Sequence, residues 1–378
     1  TIADFWGTLP YERYTYLNVI AQGRGGLEHL NSTLMLSDRW ASKDRKSYLD
    51  WLGLVSHEFF HTWNGKRLRP HNLGPFDYEN ETYTKSLWVV EGLTSYYDDL
   101  LLHRSGLTTR KEYLSHLSKS IKQLQATPGR LKHALDMTSF DAWTKYYQQD
   151  KNFINTSVSY YTKGAVVGFL LDALLREHSH HRTTLDEVMV EAYQQFGAKK
   201  GYRVEDFKRV AEKMAGVSLD AFYQHAISGR GELDYSQALA FYGLRFTEDT
   251  LADESNHAQT LSLYLGWKLD LRGGKVWVKE ILDNTPAYHA GVQVDDEVLA
   301  LNGYRVLSTD LSAQLEHYST GQLVEIAVSR MGKLKNLQGV LSQKPRTTWN
   351  LSPVEKPSPK QLQNLQRWLT LPSGAKAS

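Results

Sequence analysis

The 378-residue chain contains no cysteine. Disulfides, thiolate metal ligands and a cysteine nucleophile are excluded, so a metal centre here must be built from His, Asp and Glu. The lack of cysteine leaves the compartment open, because bacterial proteins on either side of the inner membrane can lack it. No run of apolar residues approaches membrane-spanning length, and no membrane partner is expected. Charge of one sign is missing too: 44 Lys and Arg against 42 Asp and Glu leave a formal net charge of +2, which points to neither nucleic acid nor an anionic surface. There is no initiating Met and no signal-like segment. The chain opens almost at once on strand-like sequence, and the expectation is a fragment lacking an N-terminal region.

With 41% hydrophobic and 23% charged residues the composition is that of a globular protein, and the length suits two or three domains. The 22 Tyr, 12 Phe and 10 Trp are enough to line a pocket but are read first as core packing. Residues 14–20 and 27–33 read as two strands flanking the turn Gly23-Arg24-Gly25-Gly26. Ser42 with Asp44 signals a helix start, and Tyr48, Leu52, Val55 and Phe59 are expected on the buried side of that helix. Residues 64–84 read as a loop and 85–102 as a helix. Apolar spacing of three to four predicts further helices over 109–125, 160–177, 184–196, 204–214 and 219–227. The polar stretch 247–258 marks a domain boundary. Beyond it, 261–341 alternates like short strands, with a helix expected over 310–318. The Pro-rich basic tail after Lys344 is expected to be mobile or to lie along the surface.

The most informative string is His57-Glu58-Phe59-Phe60-His61. On a helix, residues four apart share a face, so both imidazoles can reach one Zn²⁺ with Glu58 beside it as general base. The bland alternative is two surface histidines with no metal. A catalytic zinc needs a third ligand, and the best candidate is Glu91, an acid between Leu87, Trp88, Thr94 and Ser95 on an otherwise uncharged helix face. An unpaired carboxylate there would be costly, and a metal removes the cost. Glu79, Glu81 and Asp98 are the next acids to consider. Lys66, Arg67 and Arg69 follow the metal helix and are expected to be solvated or to pair with acids such as Asp77 and Glu79.

These motifs resemble the gluzincin metallopeptidases, and among them the glycyl aminopeptidase family, relatives of aminopeptidase N that carry a C-terminal PDZ domain. The run Trp88-Val89-Val90-Glu91-Gly92-Leu93-Thr94-Ser95-Tyr96 matches the family's third-ligand helix. Gly25-Gly26-Leu27-Glu28-His29 resembles the clan's exopeptidase motif G-A-M-E-N, with His29 in place of the Asn. The resemblance implies that Glu28 binds the substrate's free α-ammonium, on an edge strand that pairs with the substrate backbone. Tyr161-Thr162-Lys163-Gly164 resembles the segment whose Tyr donates to the oxyanion, with Tyr160 as the fallback. Tyr264-Leu265-Gly266-Trp267 and the run from Asn284 through Gly303 resemble a bacterial PDZ domain with its carboxylate-binding loop.

The implied fold is α+β: a thermolysin-like unit over 1–107, a helical part of the catalytic region over 108–247, a PDZ domain over 259–344 and a tail over 345–378. The implied function is a zinc aminopeptidase with one Zn²⁺ on His57, His61 and Glu91, favouring N-terminal Gly or Ala. Its partners would be peptides with a free N-terminus, and peptide C-termini at the PDZ groove. The alternatives are a zinc endopeptidase or dipeptidase, or a peptide-binding PDZ protein with a silent zinc site. A bacterial protein of cytoplasm or periplasm is expected.

Overall fold

In the computed structural model, residues 1–197, 200–248, 263–345 and 348–371 are described. β-Branched and aromatic residues form β1 (Thr15–Ile20), which is joined by β2 (Gly25–Glu28) and β3 (Ser32–Ser37) in a sheet of order β1-β3-β2. β1 runs parallel to β3, and β2 runs antiparallel to it. The extended run expected over 27–33 is therefore two strands. The chain reverses after His29, whose N–H donates to the Ser32 carbonyl (2.8 Å), and no Gly or Pro marks that turn in the sequence. β2 is left as an edge strand, the position from which a sheet can accept an added strand.

Helix α1 (Arg45–Phe60) starts at Asp44, whose carboxylate accepts from the Ser47 N–H (2.9 Å). Its buried residues are Leu49, Gly53, Leu54, Ser56, Glu58 and Phe60 rather than the expected stripe. The helix is covered on more than one side. Phe59 packs edge-on against Tyr14 and Trp63, while Phe60 stacks on Tyr97 of α2 (Leu93–Arg104). A helix covered this way has no single apolar stripe to read.

The helices α3 (Arg110–Gln125), α4 (Tyr160–His178), α5 (Leu185–Phe196) and α6 (Val204–Ala215) fall where the apolar periodicity predicts. The segments expected as helices at 85–102 and 219–227 each contain a wider π-helical turn, Trp88–Gly92 and Tyr223–Ile227. α4 runs through the core, with Val166, Val167, Phe169, Leu171 and Leu175 fully buried. The stretch Phe153–His178 is long and apolar enough to cross a membrane by length and composition, a feature the sequence reading overlooked because Lys163, Asp172 and Arg176 interrupt it. The fold buries 78% of its most apolar window. Asp172 inside that helix is fully paired, accepting from Tyr96 Oη (2.8 Å), Arg176 Nε and the Leu185 N–H (both 2.9 Å).

After β4 (Leu244–Thr247) most of the expected boundary at 247–258 lies outside the described residues. The next unit contains β5 (Leu263–Tyr264), β6 (Trp267–Arg272), β7 (Lys275–Ile281), β8 (Glu297–Leu301), β9 (Tyr304–Arg305), β10 (Leu323–Arg330), β11 (Lys333–Val340) and β12 (Ser342–Gln343). Its main sheet has the order β11-β10-β8-β7-β6, which leaves β6 at an edge. It has a core of its own, including Val278, Leu301, Ile326 and Val328. The helix expected over 310–318 is a single turn, Ser312–Leu315.

This unit touches the helical body through Asn155. The Asn155 amide donates to the Ile281 carbonyl (2.7 Å) and accepts from the Asp283 N–H (2.9 Å). Lys132–Asp283 and Lys151–Asp295 ion pairs flank it. The same turn carries on to the loop before β6, where Leu282 N–H donates to the Gly266 carbonyl and Ala287 N–H to the Leu265 carbonyl (both 2.8 Å).

The chain then returns to the first core instead of trailing away. β13 (Asn350–Pro353) pairs antiparallel with β4, and α7 (Pro359–Leu369) buries Leu365, Trp368 and Leu369 among the residues of that core. Trp368 is fully buried, stacks on Tyr242 (4.5 Å between centroids) and donates from Nε1 to Tyr96 Oη (2.8 Å). The expected surface tail is thus a structural part of the first core. One of its prolines, Pro359, takes the first helical position behind a Ser358–Gln361 capping box.

Candidate metal centre and substrate cleft

α1 delivers His57 and His61 on one face, and the π-helical turn Trp88–Gly92 delivers Glu91 against them. A widened turn inside a helix re-aims a side chain, which is why such turns gather at functional sites. Glu91 Oε2 stands 3.3 Å from His57 Nε2 and 3.2 Å from His61 Nε2. One ligand atom from each of the three residues lies within 4.8 Å of the others.

The second nitrogen of each imidazole is already committed. His57 Nδ1 donates to Asp98 Oδ2 (3.1 Å), and His61 Nδ1 to the Asn64 carbonyl (2.8 Å). Both rings are thereby fixed with Nε2 towards Glu91, the orientation a metal requires. Asn64 binds the two ligand segments together, its Nδ2 donating to the carbonyls of Val89 (2.9 Å) and Val90 (3.0 Å) and to Thr94 Oγ1 (3.0 Å). Asp98 and Asn64 escaped the sequence reading in these roles. For Asp98 a signal existed: it lies seven residues after Glu91, two turns along the same helical face. Glu79 and Glu81 are exposed in the loop and stay out of the cluster.

The electrostatics agree with a cation at this point. Burial raises the Glu91 pKa, but the neighbouring His61 and His57 reverse this and hold it well below the usual carboxylate range, so the group stays ionised. Glu58 is buried, and burial raises its pKa. Its Oε2 has no hydrogen-bond partner among the described residues. Two imidazoles, one carboxylate and an orphaned buried acid form a donor set that fits Zn²⁺, with His57, His61 and Glu91 as the holders.

β2 runs past Glu58 at close range. A Cβ on Gly26 would sit 2.0 Å from Glu58 Oε1, so any larger residue here would force the Glu58 side chain to shift. Gly25 precedes it on the same edge, and Glu28 ends the strand. Glu28 is not free: Lys66 Nζ pairs with its Oε1 at 3.1 Å. The structure does not bring His29 into the group. It is exposed beyond the strand end, and its Nδ1 donates to the Leu27 carbonyl (3.1 Å). The basic run also differs from expectation, since Arg67 donates to the carbonyls of Leu30, Thr62 and Pro10, and Asp77 accepts from its own loop at Glu79 and Asn80.

Tyr161, at the start of α4, lies with its ring stacked 6.2 Å from that of His57. Burial and the Glu91 charge push its phenol pKa far up, so it stays a donor. Tyr160 is almost fully buried against Tyr146 (4.8 Å between centroids). α4 meets the Glu91 segment backbone to backbone: a Cβ on Gly92 would lie 2.6 Å from Gly164 Cα. That contact sets Tyr161 beside the ligands.

Comparison with known proteins agrees with this geometry. Residues 50–167 match the family model described as M61 glycyl aminopeptidase, and residues 263–339 match that of a PDZ domain. A solved structure of an aminopeptidase N family protein from Idiomarina loihiensis superposes with a TM-score of 0.88 at 30% identity over 98% of this chain. The chain spans 64% of the length of that structure. Serine protease Do-like HtrB of Bacillus subtilis (strain 168) is 31% identical over 105 residues, 27% of this chain and 22% of that protein.

Proposed function

For a chain that carries a peptidase domain of the glycyl aminopeptidase family and a PDZ domain, we propose a zinc-dependent aminopeptidase that releases N-terminal residues from peptides, Gly and Ala favoured. His57, His61 and Glu91 would hold the ion. When bound, zinc supplies Lewis-acid polarisation of the scissile carbonyl and lowers the pKa of a water towards neutrality.

The protein's own residues do the rest. Glu58, its pKa raised by burial, takes a proton from the attacking water and returns it to the leaving amine. The Tyr161 hydroxyl donates to the oxyanion. Gly25 and Gly26 let the substrate backbone approach the edge of β2, and Glu28 accepts the α-ammonium, so one residue is removed at a time. The β6 edge, beside the Leu265-Gly266 loop, is where a peptide C-terminus would add as a strand.

The observation that supports this reading best is the convergence of edge strand and metal helix, with Glu58 in contact range of Gly26 and Glu28 two residues further along the same strand. One observation favours the endopeptidase reading: Lys66 already neutralises Glu28. A peptide series with free and acetylated N-termini, read by mass spectrometry with and without chelator, separates the two. The aminopeptidase trims only free termini and stops when the metal is removed. Internal cuts in acetylated peptides would replace it with an endopeptidase. Absence of both bound zinc and cleavage would leave a peptide-binding protein.

A further inference from the structure

The Lys66–Glu28 pair is unexplained by the catalytic residues alone. The Lys66 N–H donates to the His61 carbonyl (3.1 Å), which ties the residue to the end of the metal helix. Its side chain reaches Glu28 at the end of β2, and both side chains are largely buried, 18% and 22% exposed. The acids expected to hold it lie elsewhere: Asp77 is bonded within its own turn.

Three carboxylates, Glu28, Glu58 and Glu91, converge here, and Glu28 is close enough to Glu58 to raise its pKa. A carboxylate in such company needs a cation. An α-ammonium and the Lys66 ammonium carry the same charge and the same donors, so they are interchangeable partners for one carboxylate. While paired with Glu28, the Lys66 Nζ also lies over the face of Phe76, 5.5 Å from the ring centroid.

We propose that Lys66 is a place-holder for the substrate's α-ammonium and a specificity-determining residue of the cleft. This inference rests on the aminopeptidase reading above. Without substrate, Lys66 caps Glu28 and closes the end of the cleft. A substrate with a free N-terminus brings its own cation, takes over Glu28 and displaces Lys66 from it. An acylated or internal segment brings none, so displacing Lys66 would strand a half-buried carboxylate. Exopeptidase selectivity then arises from the exchange of one ammonium for another, with Lys66 as an internal competitor.

The test is the Michaelis constant of Lys66→Met and Lys66→Gln for a free-amine dipeptide amide. Removing the competitor lowers KM by about threefold to tenfold, the range expected for losing a partly buried ion pair. The inhibition constant of glycinamide falls by a similar factor. In a Glu28→Gln background the same Lys66 substitutions produce no such gain. An unchanged or raised KM in both single variants, with metal content intact, overturns the inference. An N-acetylated peptide is run beside each. If wild type cuts it as readily as the free peptide, the aminopeptidase reading fails and takes this inference with it. If acetylation blocks cleavage and neither variant lowers KM, the role of Lys66 alone is refuted.

Discussion

Tyr160 and Tyr161 are adjacent in sequence, yet one is sealed among tyrosines and the other stacks on a metal-ligand candidate. Only the second can donate to a charge that develops between metal and substrate. Tyr161→Phe is therefore expected to lower kcat by roughly 10²–10³ while KM changes little, and Tyr160→Phe to affect stability, by about 1 kcal/mol, rather than turnover. Steady-state kinetics on the two variants check this, and the reverse pattern would move the role to Tyr160. At this scale the sequence was most legible where chemistry restricts both residue type and spacing. His57, Glu58 and His61 are spaced by the helix itself, and Glu91 stands out as an acid without a local partner. Lys66, Asn64 and His29 were not legible in the same way. Their partners, Glu28, the Val89–Val90 carbonyls and the Leu27 carbonyl, are fixed by backbone turns and tertiary folding that no local pattern encodes.

Among the elements, the long helices could be read because their apolar residues recur every three to four positions. Two kinds of element could not. α1 is covered on several sides, so its buried face was misjudged. α7 carried its signals, the Ser358–Gln361 capping box and the spacing of Leu365, Trp368 and Leu369, but they were outweighed by the proline content around them. The burial of Trp368 among Tyr113, Phe169 and Tyr242 makes α7 a strong determinant of stability. Trp368→Ala is expected to destabilise the first body by about 3–5 kcal/mol through the cavity it leaves, and to orphan the Tyr96 hydroxyl as an acceptor. Urea unfolding followed by tryptophan fluorescence measures it. A loss below 1 kcal/mol would mean that α7 docks only loosely.

Seen whole, the molecule is not a row of domains followed by a tail. β4 leads out to the PDZ domain, and β13, which pairs with β4 from Thr247–Asn350 to Leu244–Pro353, leads back. Among the described residues, the two bodies are joined by the buried Asn155 amide and two ion pairs; the ion pairs contribute little to stability, and the Asn155 hydrogen bonds contribute about 1 kcal/mol each. Replacing residues 249–348 by Asn-Gly, the two-residue turn preferred by a tight hairpin, keeps Trp349 against Tyr235 and Phe246 and is expected to yield a folded first body that still binds one metal ion, as judged by circular dichroism and metal analysis. An unfolded product would show that the PDZ domain supports the body it is joined to. The pairing of β4 with β13 also bears on descent. The two cut ends of the first body lie one strand spacing apart, so a module of this size could enter or leave the coding sequence in a single splice, with an ancestral hairpin left intact on either side of the event.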